Sequence, residues 1–259
     1  MKAKEIFENL LAEASVRKEQ TCDRLVSGDE NKEVAKIAVC FKLTAEVLTR
    51  AIESGADMLI THEPVFSAGY YDGKPGEYDL KKEEIMKKSG ITVYRYHDHA
   101  HDAAFDYIHH GFIKDTGLDI KKLPDCESFA VAGYELGSPM TAREFARHIE
   151  EKMGIEFVRV IGACDFPVKK ICLGLGNVGY KQLELMFDKD CDLFITGEMG
   201  EVCVCEYVRD AAFYGVRKAL IVVGHYSAEF SGMKLLCEKL SEKGISSEYI
   251  DCGEVYYRV

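Results

Sequence analysis

Three short stretches of the chain concentrate imidazole and carboxylate groups: Thr61-His62-Glu63-Pro64, His97-Asp98-His99-Ala100-His101-Asp102 and Gly224-His225-Tyr226-Ser227-Ala228-Glu229. Imidazole nitrogen and carboxylate oxygen together suit Zn, Mn, Fe or Ni, and a carboxylate can bridge two ions, so the chemistry on offer is divalent-metal binding at a one- or two-metal site. Glu63 adds an oxygen donor that tilts the choice towards Mn or Fe over Zn. His225 and Glu229 are four apart and face the same way at the start of a helix. His97 and His101, or Asp98 and Asp102, share a side if their segment is helical; if it is extended, His97, His99 and His101 share a face. Singly, each stretch also reads blandly, as a turn with a hydrogen-bonded histidine, a polar loop or a solvated helix face. All three follow a strand-like apolar run, and that shared position argues for a joint role.

The elements that position them alternate as βαβ. Val34 to Phe41 reads as a buried strand after a Gly-Asp-Glu-Asn turn, Thr44 to Glu53 as a helix, Asp57 to Thr61 as a strand, Lys81 to Ser89 as a polar helix and Ile91 to Tyr96 as a third strand. A second cycle repeats the first: KIAVCF…GADMLITHE returns as KICLGL…DCDLFITGE, with Asp57 to Glu63 answering to Asp192 to Glu198 about 135 positions on. Thr141 to Met153 reads as a helix opened by a Thr141–Glu144 capping box. Strands at Ala219 to Val223 and Ser247 to Ile250 flank a helix over Ser227 to Leu240. The fold expected is α/β, two related, interlinked lobes with mixed or mostly parallel sheets: a first lobe over 1–125, a second over 126–223, and a segment over 224–259 that completes the metal site and packs with the first lobe. In such sheets ligands bind at the carboxyl ends of the strands, where all three His-acid stretches fall.

With 259 residues, 47% of them hydrophobic, a sizeable core is available, and a net charge of -11 disfavours nucleic acid or an anionic membrane as partner. No apolar run approaches the roughly 20 residues that span a bilayer. Ile6, Phe7, Leu10, Leu11 and Ala14 form an amphipathic opening helix rather than a signal segment. Ten cysteines scattered through apolar stretches fit reduced thiols in a cytoplasmic protein. Among weaker candidates, His109-His110 reads as a partly exposed helix surface, and Cys203-x-Cys205 as buried packing rather than a soft-metal pair. Ser67 to Gly76 with Tyr78 and Asp79 reads as a surface loop. Gly174 to Gly179 resembles a phosphate-cradling turn, though a tight strand-to-helix turn needs glycine anyway.

Nearly the whole chain resembles the NGG-interacting-factor-like proteins, often labelled GTP cyclohydrolase I type 2 homologues. The resemblance rests on Gly55 to Pro64 (GADMLITHEP), Pro139 to Glu144 (PMTARE), Val158 to Gly162 before Pro167 to Lys170, Ile195 to Glu198 (ITGE) and Gly224 to Glu229 (GHYSAE), in the family's order and spacing. It implies paired α/β lobes, a ring-shaped hexamer and two divalent ions held by residues of the three stretches. His62 matches the family's first histidine, and His225 and Glu229 its last His and Glu; Glu63, His97, His101 and Asp102 complete the expected ligands. The chain departs from the pattern in three places. Glu63 stands for a second His, His97-Asp98-His99-Ala100-His101 stands for His-x-Asn-x-Asp and leaves Asp98 or Asp102 as the bridging carboxylate, and Asp23-Arg24-Leu25 stands for Asp-Asn-x-Gly-Leu.

The activity this implies is metal-dependent hydrolysis of a small molecule such as a purine nucleotide, with Glu63 and Glu229 as the carboxylates that relay a proton. A non-enzymatic protein that stores, delivers or senses metal would use the same donors; a hydrolase also needs an open coordination position beside a substrate pocket.

Overall fold

The computed structural model describes residues 1–14, 20–67, 75–101, 105–128, 130–188 and 190–256. The fold is α/β with two mixed sheets, and the chain divides into two compact units, Met1–Tyr107 with Gly232–Gly253 and Ile108–Ser231 with Glu254–Val259.

The first unit is built on a five-stranded sheet. β1 (Arg24–Ser27), β2 (Lys36–Cys40), β3 (Met58–Thr61), β4 (Thr92–Arg95) and β11 (Ser246–Tyr249) lie in the order β1-β4-β3-β2-β11. β11, β2, β3 and β4 are parallel, and β1 closes one edge antiparallel to β4. The continuous apolar runs at β2 and β3 are explained by their central position, since a parallel strand is covered on both faces. α2 (Ala45–Glu53) starts at Thr44, whose hydroxyl accepts from the Val47 N–H at 3.1 Å, and turns Val47, Leu48 and Ala51 onto the core. α1 (Ala3–Ala12) buries Ile6, Phe7, Leu10 and Leu11. α3 spans Glu77–Ser89, so Tyr78 and Asp79 lie in its first turn rather than in a loop. The buried Asp79 carboxylate there accepts the Ser67 N–H at 3.2 Å.

The second unit carries six strands: β5 (Ile120–Ser128), β6 (Val131–Thr141), β7 (Arg159–Gly162), β8 (Pro167–Asn177), β9 (Leu193–Glu198) and β10 (Ala219–Val222), in the order β5-β6-β8-β9-β10-β7. β8, β9 and β10 run parallel and reproduce the β2-β3-β4 order of the first sheet. α5 (Ala142–Met153) opens with the Thr141–Glu144 capping box: the Thr141 hydroxyl accepts from Glu144 N–H at 3.1 Å and the Glu144 carboxylate from Thr141 N–H at 2.8 Å. α4 (Tyr107–Thr116), α6 (Tyr180–Asp188), α7 (Glu206–Phe213) and α8 (His225–Glu242) complete the fold.

The repeat in the sequence is a repeat of hydrogen bonds. Asp57 accepts the N–H groups of Ala35 and Lys36 at 2.8 and 3.2 Å; Asp192 accepts those of Lys169 and Lys170, both at 2.9 Å. Thr61 donates to the carbonyl of Glu63 at 3.3 Å, and Thr196 to that of Glu198 at 3.2 Å. Each Asp pins the entry of one strand beside the next, and each Thr shapes the turn at the carboxyl end.

Cys172 and Cys191 form a disulfide, where the sequence suggested reduced thiols throughout. In a π-helical turn over Glu201–Cys205, Val204 is buried and Cys205 packs against the same core cluster, whereas Cys203 is exposed and Val202 87% exposed, so the expectation of buried packing holds for Cys205 and fails for Cys203. His109 is buried with Nδ1 3.2 Å from the Tyr134 hydroxyl, not partly exposed as helical spacing suggested. Gly174 and Gly176 lie within β8. A side chain at Gly174 would strike Phe194, and one at Gly176 (φ +89°) would strike Glu229, so these glycines make room for neighbours rather than for a phosphate.

Candidate metal centre

In the first unit β3 and β4 end side by side. Thr61 pairs with Arg95, and the Tyr96 N–H donates to the Thr61 carbonyl at 2.9 Å. His62 follows β3 directly, and the chain beyond Tyr96 closes a helical turn in which the N–H groups of Ala100 and His101 point to the His97 carbonyl at 3.1 and 3.3 Å. Of the two conformations open to this stretch, the helical one therefore holds: His97 and His101 share a side and His99 turns away.

The outcome is a triad of imidazoles. The rings of His62 and His97 stack at 4.4 Å, and His101 lies 5.1 Å from the first and 5.2 Å from the second. One donor nitrogen from each can be drawn within 4.8 Å of the others. Two rings have their orientation fixed from behind: His62 Nδ1 is 3.1 Å from the Tyr96 carbonyl and His97 Nδ1 is 2.9 Å from Asp98 Oδ1. A histidine whose Nδ1 is held by a carbonyl or carboxylate presents Nε2 as the ligating atom, the usual outer-shell arrangement of metal-bound imidazole. Glu63 is buried with Oε1 3.9 Å from His97 Nε2. The donor set therefore fits a divalent ion held by three imidazoles with a carboxylate alongside.

Asp23 organises this turn from 74 to 76 residues away. It is buried, and its carboxylate accepts the N–H groups of His97, Asp98 and His99 at 2.5, 2.9 and 2.8 Å and faces His99 Nδ1 at 2.7 Å. Asp98 is equally occupied, by the Thr21 hydroxyl at 2.8 Å, the Cys22 N–H at 3.0 Å and the His97 ring. Burial pushes the Asp98 carboxyl up, but the His97, Cys22 and Thr21 hydrogen bonds outweigh it and hold the group far below the usual carboxylate range. Both oxygens of Asp98 are engaged, so it supports His97, and its carboxylate also lies within 4.8 Å of donor atoms of Cys22 and His97. Beside it, the Cys22 thiol is pushed up to about 12 by burial, against the pull of Arg95 and reinforced by Asp98 and Asp23. On the other flank Lys42 donates to the Pro64 carbonyl and Lys82 to that of Val65, fixing the chain just after Glu63. Burial lowers the pKa of both ammonium groups.

The second unit assembles its own group at the corresponding sheet edge. The N–H groups of Val223 and Gly224 donate to the Thr196 and Gly197 carbonyls at 2.9 and 3.0 Å, which brings His225, the first residue of α8, beside the end of β9. His225 Nδ1 is 2.6 Å from Glu198 Oε1, and His225 Nε2 is 3.2 Å from Glu229 Oε2, one helical turn on. Glu229 is buried whereas Glu198 is exposed. Gly176 leaves space for the Glu229 carboxylate, as a Cβ there would collide with Oε1.

The sequence profile described as Duf34/NIF3 (NGG1p interacting factor 3) matches residues 1–252. The chain belongs to the Duf34/NIF3 family. Relatives named GTP cyclohydrolase 1 type 2 homolog include one from Pyrococcus horikoshii, 30% identical over 234 residues and 87% of each chain, and one from Clostridium perfringens, 25% identical over 233 residues, 85% of this chain and 82% of the relative. Among solved structures, Staphylococcus aureus protein SA1388 shares the fold, with a TM-score of 0.78 at 20% identity over 100% of this chain and 99% of that one.

Of the residues expected to bind metal in this Duf34/NIF3 chain, the structure brings His62, His97 and His101 together with Glu63 nearby, and in the second unit pairs His225 with Glu229. Asp102 lies outside the described residues. Sequence reasoning missed Asp23 as the clamp of the histidine turn and Glu198 as the partner of His225. The repeat was the signal for Glu198, because it is the counterpart of Glu63.

Among the described residues no helix is long and apolar enough to cross a membrane.

Proposed function

We propose that this protein is a metal-dependent hydrolase with a dinuclear divalent-metal requirement (Zn, Mn or Fe), acting on a small molecule of the purine-nucleotide class that its relatives' name suggests, and working as a homohexamer. The observation that carries the reading is the His62-His97-His101 triad with two rings already fixed through Nδ1. Histidines serving only the packing would not need three donor nitrogens drawn together. His225 and Glu229 supply the remaining donors that the family pattern calls for.

When bound, divalent ions supply water activation at neutral pH and polarisation of a substrate oxygen. Around them, His62 and His97 keep their ligating atoms aimed because Tyr96 and Asp98 hold the far side of each ring. Glu63, 3.9 Å from His97 Nε2, is the base proposed to take the proton from the attacking water, and Glu229, buried against His225, is the second carboxylate for proton transfer.

Elemental analysis of protein purified without added metal or chelator should find close to two equivalents of a transition metal per chain, falling in both His101→Ala and His225→Ala. Loss of both ions in either variant means that the two donor sets act as one centre; loss of one means that they bind separately. Loaded protein should then open or hydrolyse purine nucleotides, and Glu63→Gln should keep the metal and lose turnover. Exchangeable metal without turnover would move the protein to metal storage or delivery, and a wild-type chain that takes up no metal would end the reading. Light scattering at six times the chain mass checks the assembly.

A further inference from the structure

The second unit holds three cysteines that the metal chemistry leaves unused. Cys126, Cys172 and Cys191 come from β5, β8 and the turn before β9, and their sulfurs lie within 4.8 Å of one another. Cys172 and Cys191 are the bonded pair, with Cα atoms 6.3 Å apart. Cys126 reaches them because of one residue. Gly133 of β6 pairs with Cys172, and a Cβ on Gly133 would collide with Cys126 Sγ. Glycine normally weakens a strand, and here its missing side chain is the passage through which a thiol crosses β6. Exposure is graded: Cys126 retains 5%, Cys172 and Cys191 none.

The surroundings favour sulfur–sulfur chemistry over a bound ion. Phe194, Leu183, Val178 and Val208 pack in the same cluster. Three thiolates around a Zn(II) or Cu(I) ion would leave net negative charge in that apolar setting, at a heavy desolvation cost, whereas a disulfide and a thiol are neutral.

We propose that these cysteines form a thiol–disulfide relay that conducts oxidising equivalents from a low-molecular-weight disulfide, through Cys126, to the buried Cys172–Cys191 pair. The Cys126 thiolate attacks the external disulfide RSSR, forming Cys126–S–SR and releasing one RSH after protonation. The Cys172 thiolate then attacks Cys126 Sγ and releases the second RSH, leaving Cys126–Cys172. Finally the Cys191 thiolate attacks Cys172 Sγ, so that Cys172–Cys191 forms and Cys126 regains its proton. One RSSR is reduced to two RSH while two thiols become one disulfide; reduction by an external thiol runs the same steps backwards. The product ties β8 to the start of β9, the two strands whose far ends place Gly176 and Glu198 against the His225 group.

The test incubates the folded full chain with oxidised, then reduced, glutathione, quenching with an alkylating agent and mapping linked peptides by mass. Wild type should gain the 172–191 link and melt about 5–10 °C higher when linked, from closure of the 19-residue separation. Cys126→Ala should slow both formation and reduction of the link by about tenfold or more, since the inner pair loses the neighbouring sulfur through which exchange enters. Cys191→Ala should instead accumulate Cys126–Cys172, a species that requires no comparison of stabilities, and Cys203→Ala should behave as wild type. The proposal is overturned if Cys126→Ala exchanges at the wild-type rate, if Cys191→Ala accumulates no Cys126–Cys172, or if all ten thiols stay reduced with a thiophilic metal retained on them.

Discussion

The two units solve one construction problem and then part in the groups they build at the strand ends. In each, a parallel strand enters past an aspartate that takes two backbone N–H groups, Asp57 or Asp192, and leaves through a threonine, Thr61 or Thr196, bonded to the turn that follows. In each, the glutamate two residues after the threonine meets a histidine carried on the next strand's end: Glu63 with His97 at 3.9 Å, Glu198 with His225 at 2.6 Å. Between threonine and glutamate the first unit has His62 and the second has Gly197. A Cβ at Gly197 would come within 2.8 Å of the Gly176 carbonyl and 3.0 Å of His225 Cα. The start of α8 fills the space that the first unit gives to an imidazole. A shared frame thus yields a three-imidazole set in one unit and a His-Glu pair in the other: four residues beyond the histidine that each unit shares, the first has His101 where the second has Glu229, and the approach of the next helix decides Gly197 against His62.

Exchanging the two residues tests that account, with the largest effect expected first. Gly197→His should fail to give folded protein, and Gly197→Ala, with a methyl against a backbone carbonyl, should still cost about 3 kcal/mol in denaturant unfolding. A Gly197→Ala protein of wild-type stability would mean that α8 does not enforce the glycine. The reciprocal His62→Gly should leave a folded chain and weaken metal binding by more than the roughly 100-fold that losing an outer-shell partner costs. Removing such a partner with Asp98→Ala should fall inside that limit, at about 10–100-fold, because His97 keeps its place through the Asp23 clamp on its N–H. Equal losses in the two variants would demote His62 from ligand to support.

Much of the frame is legible in the sequence because it is local. Apolar runs mark β2, β3, β9 and β10, Thr141 and Glu144 mark a helix start, and the recurrence of Asp-x-x-x-Thr-x-Glu marks the duplication. What escapes is non-local. β1 offers only Leu25 and Val26 as apolar residues, and its pairing with β4 spans about 70 positions. β6 contains Pro139 and an exposed far half, which reads as loop until β8 is beside it. Spacing could place His97 and His101 together or spread three histidines along a face, and Asp23, by gathering three consecutive N–H groups, is what settles the helical turn. Cysteine connectivity is likewise invisible to spacing, so the Cys172–Cys191 link could not be read from ten scattered thiols. His109 was misjudged because helical periodicity gives a residue's side of the helix, not what is packed there.

The smallest effects should come from the aspartates that the units share, and they sharpen the comparison by asking whether the two frames are equally stressed. Replacing Asp57 or Asp192 by Ala leaves two strand-entry N–H groups without their acceptor, at about 2 kcal/mol per variant for partly exposed hydrogen bonds to a charged group. For Asp57 the cost should depend on pH. Burial raises its pKa, but the N–H groups of Ala35 and Lys36 and the Lys32 ammonium outweigh that and depress the folded-state value. A carboxyl depressed on folding adds stability that is complete above its unfolded value of about 3.9 and is lost as pH falls through the lower folded value. Wild type and Asp57→Ala should therefore be separated by a constant gap from pH 7 down to about pH 5, with the gap closing on further acidification. A gap that stays constant below pH 4 would mean that Asp57 acts as a neutral acceptor, so that its charge is not what pins the strand.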